Sequence, residues 1–293
     1  MKKAIRGIEY FAVRCLGALV NALPERSALS LGVTFGNSTY QIARMRKRVI
    51  LTNIKICGLK FESGWHRKLF VRRCFQHIGV TAIEVLREKS YSHSDYMSKL
   101  QSLNPESFER AAEIGRGCIL MSGHFGNWEL IGTYVSHLGL PVDLLVKRQS
   151  NLAVDEYLNG IRRSQGVGII YTDSGARDLL NAIRGKRFVA ILADQYGGAD
   201  SEKTRFFGND VLVPTGPAVL LQKYNIPLIF GISRRAKTGK HFLTTELHTD
   251  PGPMSRSELV QMYTSLLEDA IREHPEMWLW THRRFKNITD YAS

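Results

Sequence analysis

The stretch GCILMSGHFGNWEL, residues 117–130, joins an unbroken apolar run to a glycine-rich polar corner and then to the start of an amphipathic segment. A run this short, with Ile119, Leu120 and Met121 in succession, reads as a strand buried on both faces. Residues 127–138 continue as a helix. The pattern then repeats down the chain. VDLLVK (142–147), VGIIYT (167–172), FVAILAD (188–194) and PLIFGIS (227–233) are further apolar runs, and helical stretches at 151–164, 175–185 and 215–225 lie between them. This alternation predicts an α/β fold, with a largely parallel sheet flanked by helices on both faces. HFLTTELH (241–248) is expected as an antiparallel addition and 255–273 as a closing helix.

Upstream the rhythm is helical, over 26–57 and 64–88 and in the first segment of the chain. We therefore expect a helical, basic amino-terminal region, 1–95, and an α/β domain, 96–293, joined as one continuous unit. No repeat or linker interrupts them. The charge is uneven. Of 40 Lys/Arg and 27 Asp/Glu, net +13, residues 1–80 hold fifteen cations against only Glu9, Glu25 and Glu62. A basic end on a near-neutral body implies an anionic partner: phospholipid head groups, nucleic acid or an acidic carrier protein. ARMRKRV (43–49) is the densest run.

The segment IEYFAVRCLGALVNALP (8–24) is too short and too charged for a membrane-spanning helix, which needs roughly 20 apolar residues. It also lacks the core and cleavage site of a signal peptide. Wound as a helix, Ile5, Ile8, Ala12, Leu16, Leu19 and Leu23 form one stripe, with Lys2, Lys3, Arg6, Glu9, Arg14 and Asn21 opposite. Such a helix suits a bilayer interface; packing on the protein's own core is the alternative. The four cysteines are scattered, without CxxC or zinc-ligand spacing, so they read as reduced thiols of a cytosol-facing protein with no metal site.

In open parallel sheets the ligand site lies beyond the carboxyl ends of the strands. His124, Arg148, Asp173 and Asp194 each stand just past an expected strand. His124 and Glu129 are five residues apart, a rotation of about 500° that leaves them about 140° apart on a regular helix. The spacing makes sense if His124 precedes the helix and Glu129 sits in its first turn. From there the carboxylate would accept the proton of one imidazole nitrogen, fix the tautomer and leave the other nitrogen as a base. A helix amino terminus favours the ionised acid, and its N–H groups suit a developing oxyanion. The structural alternative is a histidine capping a turn beside an ordinary first-turn acid. No G-x-S-x-G elbow is present, and Cys118 falls inside a strand. A base without a protein nucleophile implies that a substrate hydroxyl attacks directly. No Walker loop or dinucleotide fingerprint occurs, so no cofactor is implied.

GHFGNWE resembles the H-x4-D/E motif of membrane-associated glycerolipid acyltransferases, and in this form the late acyltransferases of lipid A biosynthesis. VKRQSNLAVDEYL (146–158), RDLLNAIRGKRFVAILADQ (177–195), RFFGNDVLVPTGPAVL (205–220) and PEMWLWTHRRFK (275–286) resemble further blocks of that family, in the right order. The resemblance spans nearly the whole chain. It implies a membrane-associated enzyme at the cytoplasmic face of the inner membrane. The donor would be acyl-acyl carrier protein or acyl-coenzyme A and the acceptor a phosphorylated glycolipid, with no nucleic-acid partner. His124 would be the general base and Glu129 its partner. Asn127, Arg148, Arg163 and Asp194 would contact substrate, although KRQ stands where the family commonly has Arg-Pro. Arg283 and Arg284 fall in the closing block without an evident role, and Trp278 and Trp280 read as core. The first apolar segment is weaker than the family's anchor. Related phosphatidylinositol mannoside acyltransferases commonly carry Asp at the Glu129 position. Transfer to such a lipid or to a glycerolipid is the alternative within enzymes; a basic lipid- or nucleic-acid-binding protein without catalysis is the alternative outside them.

Overall fold

A computed structural model describes residues 2–174, 176–198 and 200–291. The amino-terminal region is four helices: α1 (Lys2–Ala22), α2 (Glu25–Ile42), α3 (Arg44–Ile56) and α4 (Gly64–Arg87). The stretch expected to be helical over 26–57 is helical and divides into α2 and α3, where the backbone turns at Ala43 (φ −82°, ψ 63°). Helix α5 (His93–Lys99), strand β1 (Leu100–Ser102) and α6 (Glu106–Ile114) lead into the sheet. Then follow β2 (Cys118–Ser122), α7 (Glu129–His137), β3 (Val142–Val146), α8 (Leu152–Ser164), β4 (Gly168–Tyr171), α9 (Ala176–Arg184) and β5 (Phe188–Leu192). A hairpin, β6 (Ser201–Phe206) and β7 (Asn209–Pro214), precedes α10 (Gly216–Tyr224), β8 (Leu228–Arg235), β9 (His241–His248) and α11 (Arg256–Glu273).

Seven strands form one sheet in the order β1-β9-β8-β2-β5-β3-β4. Only the β8–β9 pairing is antiparallel. The α/β expectation holds, including the antiparallel β9. The two faces of the sheet feed two cores. From β2, Ile119 and Met121 point into one, with Phe75, Leu221, Leu267 and Trp280; Cys118 and Leu120 point into the other, with Phe108, Ile131 and Val135. Alternation across a pleated strand requires this division, and it explains why the central strands are apolar throughout. Helix α11 begins where Ser255 and Glu258 form a capping box, a motif that contributes about 1 kcal/mol.

Helices α2 and α4 cross at backbone contact. A Cβ on Gly79 would lie 2.3 Å from the Gly32 carbonyl oxygen, and one on Gly36 would lie 2.5 Å from the Cα of Gln76. Glycine is required there because two helix backbones occupy the side-chain space. Helix α4 also carries Phe70, Cys74 and Phe75 into the same core as the central strands.

Helix α1 packs with an unexpected face inward. Gly17 and Val20 are buried, and the Asn21 side chain donates to the Leu86 carbonyl at 2.9 Å. Glu9 accepts from Asn151 at 2.9 Å. Two residues assigned to the polar side therefore meet the protein, whereas Ile5, Ile8, Phe11 and Leu19 are exposed. The side chains of Lys2 and Lys3, also assigned to that side, lie outside the described residues. Among the described residues no helix is long and apolar enough to cross a membrane.

Candidate active site

Strands β2 and β5 are adjacent and parallel, with Ser122 opposite Leu192. Two residues beyond each end stand His124 and Asp194, and the register brings them together. The Nδ1 atom of His124 is 2.7 Å from Asp194 Oδ1, and the His124 backbone N–H donates to Asp194 Oδ2 at 2.9 Å. That same Oδ2 accepts the indole N–H of Trp278 at 2.9 Å. Leu279 in turn donates its backbone N–H to the His124 carbonyl at 2.9 Å. A carboxylate bound through both oxygens accepts the Nδ1 proton, so the Nε2 lone pair points outward. The Gln195 side-chain amide reaches that nitrogen at 3.3 Å.

Charge follows this geometry. Burial works to raise the Asp194 pKa, but the imidazole and three hydrogen bonds hold it far below the usual carboxylate range. Burial works to lower that of His124, but Asp194, with a smaller contribution from Glu129, holds it above the ordinary imidazole value. His124 is therefore a strengthened base beside a carboxylate that stays ionised.

The carboxylate on the imidazole is Asp194, where sequence reasoning put Glu129. Glu129 does occupy the first turn of α7, but it is gripped by Arg162 of α8. Nε donates to Oε2 at 2.9 Å and Nη2 to Oε1 at 2.6 Å, a two-pronged pair with both side chains mostly buried. Trp128, whose ring meets that of His124 edge-on at 4.9 Å, stands between the two groups in sequence. Trp128, Glu129 and Ser122 line a pocket whose other walls are apolar, including Leu120, Ile131, Leu144 and Val146.

The remaining expected residues scatter. Asp194 is buried behind His124 and is not at an exposed rim. Asn127 is wholly buried and points away from the cleft, donating to Glu84 at 3.0 Å; its Oδ1 has no hydrogen-bond partner among the described residues. Arg148 pairs with Asp173 at 3.2 Å across the ends of β3 and β4 and lies over the Tyr171 ring at 3.7 Å. The four strand-end residues thus make two sites, not one. Arg163 turns outward to Glu156. Arg284 is buried, donates to the Leu212 carbonyl at 2.8 Å, and is pushed down to about 10 by burial.

Sequence reasoning missed Arg162, Gln195 and the hydrogen-bonding role of Trp278. A signal for Arg162 existed: Asp155, Asn159 and Arg162 recur at steps of four and three, so they share one helix face. Asn159 and Asp155 are buried, and Arg162 donates to Asn159 at 2.6 Å.

Beneath the corner lies a second polar cluster. Arg235 donates to Glu84 and, at 2.9 Å, to His77 Nδ1. His77 Nε2 then donates to the Gly126 carbonyl at 3.1 Å. Burial and the adjacent guanidinium push His77 down to about 3, so it is neutral and holds this tautomer. The histidine corner is thus pinned on both sides, by Asp194 and Trp278 above and by α4 below.

The bacterial lipid A biosynthesis acyltransferase profile matches residues 2–287. The chain belongs to that family. It is an acyltransferase. Among curated relatives it is 22% identical over 269 residues to the lipid A biosynthesis palmitoleoyltransferase of Escherichia coli K12, covering 90% of this chain and 86% of that one. It is 21% identical over 272 residues to the lauroyltransferase of the same organism, covering 92% and 88%. A phosphatidylinositol mannoside acyltransferase of Mycolicibacterium smegmatis is 23% identical over 141 residues, covering 47% of this chain and 46% of that one. The family match shows acyl transfer, and the histidine corner offers a base of the kind that reaction uses.

Proposed function

We propose that this acyltransferase moves a fatty acyl chain from a thioester, on acyl carrier protein or coenzyme A, to a hydroxyl of a lipid A precursor. The reading rests on one observation: His124 is held through Nδ1 by an ionised carboxylate, which leaves Nε2, reached by the Gln195 amide at 3.3 Å, as the basic nitrogen. The acceptor hydroxyl takes the position now reached by Gln195. Nε2 removes its proton as the oxygen attacks the thioester carbonyl. The tetrahedral intermediate then collapses, the carbon–sulfur bond breaks, and the thiolate leaves, taking the proton back from the imidazolium. Asp194 stabilises the imidazolium and sets the ring's orientation.

Glu129 adds a second negative charge that favours the imidazolium, and Arg162 fixes that carboxylate beside the apolar pocket. The pocket between α7 and β3 has the apolar walls an acyl chain needs. Arg148, exposed with Asp173 at the neighbouring ends of β3 and β4, is the candidate contact for a lipid phosphate. Asn127 and Arg163 have no part in this reading. The protein works at the cytoplasmic face of the inner membrane, attached to its surface. The exposed Ile5, Ile8, Phe11 and Leu19 of α1 and the basic amino-terminal region support that attachment.

The test pairs acyl carrier protein and coenzyme A donors with three acceptors: a lipid A precursor, a phosphatidylinositol mannoside and a glycerolipid. Product mass identifies acceptor and chain together. Acylated lipid A precursor with the native chain, and none with His124→Ala, is the expected result. Transfer to another acceptor alone, or turnover retained in the variant, overturns the reading.

A further inference from the structure

A second set of exposed apolar side chains lies on α3 and on the adjoining ends of α2 and α4. Ile42, at the corner between α2 and α3, is 80% exposed, Met45 is 66% exposed and Trp65 is 65% exposed. Leu51 is also exposed. Isolated exposed apolar residues are ordinary, but four large ones carried by α3 and the helix ends that adjoin it are more than that.

These residues sit among cations. Arg44, Arg48, Leu51 and Lys55 recur at steps of four, three and four, so they share one face of α3, and all four are exposed. No acidic residue occurs anywhere from 26 to 61, a stretch that carries seven Lys/Arg. Between α3 and the start of α4 runs an open groove whose lining includes Leu51, Lys55, Phe61 and Arg67, with Trp65 next to the groove-lining Gly64. Apolar side chains flanked by unopposed cations match the boundary of an anionic bilayer, where head groups meet acyl chains.

The placement of this face relative to the site gives it a purpose. Arg46, on the inner side of α3, donates to the Thr281 carbonyl at 3.2 Å. Thr281 follows the strap that brings Trp278 onto Asp194 and Leu279 onto His124. On the other flank, Asn151 follows the rim loop that bears Arg148 and donates to the Arg6 carbonyl of α1 at 2.8 Å. The α3 region is thus tied to the strap over His124, and α1 to the loop after Arg148, both at the carboxyl ends of the strands.

We propose that the outer face of α3, with Ile42, Met45 and Trp65, is a second membrane-docking surface specific for anionic phospholipid, which together with α1 turns the mouth of the site toward the bilayer. The inference rests on the surface-attached reading given above, and its binding measurement needs no acceptor lipid, so it can fail independently of acyl transfer. Full-length protein is sedimented with vesicles of phosphatidylcholine alone or with phosphatidylglycerol added. The native protein should bind the anionic vesicles more tightly. The Arg44→Glu/Arg48→Glu variant should bind them about tenfold or more weakly, since each basic residue near such a surface contributes roughly a fivefold factor. Ile42→Ser/Met45→Ser should lower binding to both vesicle types. In both variants, turnover on detergent-dispersed substrates should match the native protein, which also reports intact folding. Native affinity in both variants overturns the proposal even if acyl transfer is confirmed. Native vesicle affinity with a raised KM for acyl carrier protein assigns the face to an acidic protein and likewise overturns it.

Discussion

Asp194 holds His124 twice, through the ring nitrogen on one carboxylate oxygen and through the backbone amide on the other. One side chain thereby fixes both the position of the residue and the tautomer of its ring. Replacing Asp194 by Asn keeps the shape but offers a neutral group that no longer selects the Nδ1–H tautomer. Turnover should fall by about three orders of magnitude with KM little changed. Steady-state kinetics of the purified variant checks this; a loss of less than about tenfold would remove Asp194 from the mechanism.

The same pair sets the pH profile. In the proposed mechanism the neutral imidazole is the active form, and in the folded protein His124 titrates above its ordinary value because Asp194 outweighs the opposing effect of burial. The acid limb of kcat/KM should therefore lie above about pH 6.5, the ordinary imidazole value. In Asp194→Asn the residual activity should show that limb displaced to lower pH, since burial then acts with less opposition. A limb that stays in place in this variant would assign the titration to another group.

Below the corner, His77 makes an opposite contribution to stability. Burial and Arg235 push it down to about 3, so the folded protein refuses a proton that the unfolded chain takes up. Between about pH 6.5 and 3 the unfolded state binds more protons, and stability falls as the pH falls through that window, by on the order of a few kcal/mol. His77→Gln should flatten this dependence, because a glutamine amide donates to the Gly126 carbonyl and accepts from Arg235 without titrating. Denaturant midpoints measured across the window decide it, and equal slopes in the two proteins would refute the assignment.

Gly126 carries the tightest constraint at the corner. Its φ is +61°, and a Cβ there would lie 1.5 Å from the carbonyl oxygen of Ser233, a backbone atom in β8. Gly126→Ala should cost on the order of 4 kcal/mol or prevent folding. Gly160, inside α8 with open space around it, is the matched control. There alanine should stabilise by up to about 1 kcal/mol, from helix propensity alone. Thermal or denaturant unfolding of both proteins tests the contrast.

The fold was legible because its strands are apolar on both faces and its helices are not. Every expected strand from 117 to 248 is present to within one or two residues. What the sequence could not reveal was which strands lie side by side. Strand β5 inserts between β2 and β3, so His124 meets Asp194, seventy residues away, and not Glu129, five residues away. The same order pairs Arg148 with Asp173 and leaves both outside the histidine corner. The β6–β7 hairpin was also missed, since RFFGNDVLVP mixes charges with apolar residues and its period is masked by Phe206 and Phe207. For α1 the expected apolar stripe divides: Ile5, Ile8 and Leu19 are exposed, whereas Leu16 and Leu23 pack on the core around Val20. Helical spacing gives a stripe but not which part of it the protein covers.

Arg162 and Arg163 are neighbours with opposite fates, and this makes the sharpest test of the site. Arg162 is mostly buried and grips both oxygens of Glu129; Arg163 is half-exposed and meets only Glu156 on the surface. Removing one member of a buried ion pair strands the other, at a cost of about 3 kcal/mol, whereas removing both relieves the unpaired charge. Arg162→Ala and Glu129→Ala should each lower the unfolding free energy by about that amount, and the double variant should lose clearly less than the two combined. Turnover should drop by about two orders of magnitude in Glu129→Ala, because the charge that supports the imidazolium is gone and the pocket wall is loosened. Arg163→Ala should leave turnover and unfolding unchanged. If instead Arg163→Ala is the damaging change and Arg162→Ala is silent, the pairing of α8 with α7 is not what supports the site, and the proposed use of the apolar pocket between α7 and β3 falls with it.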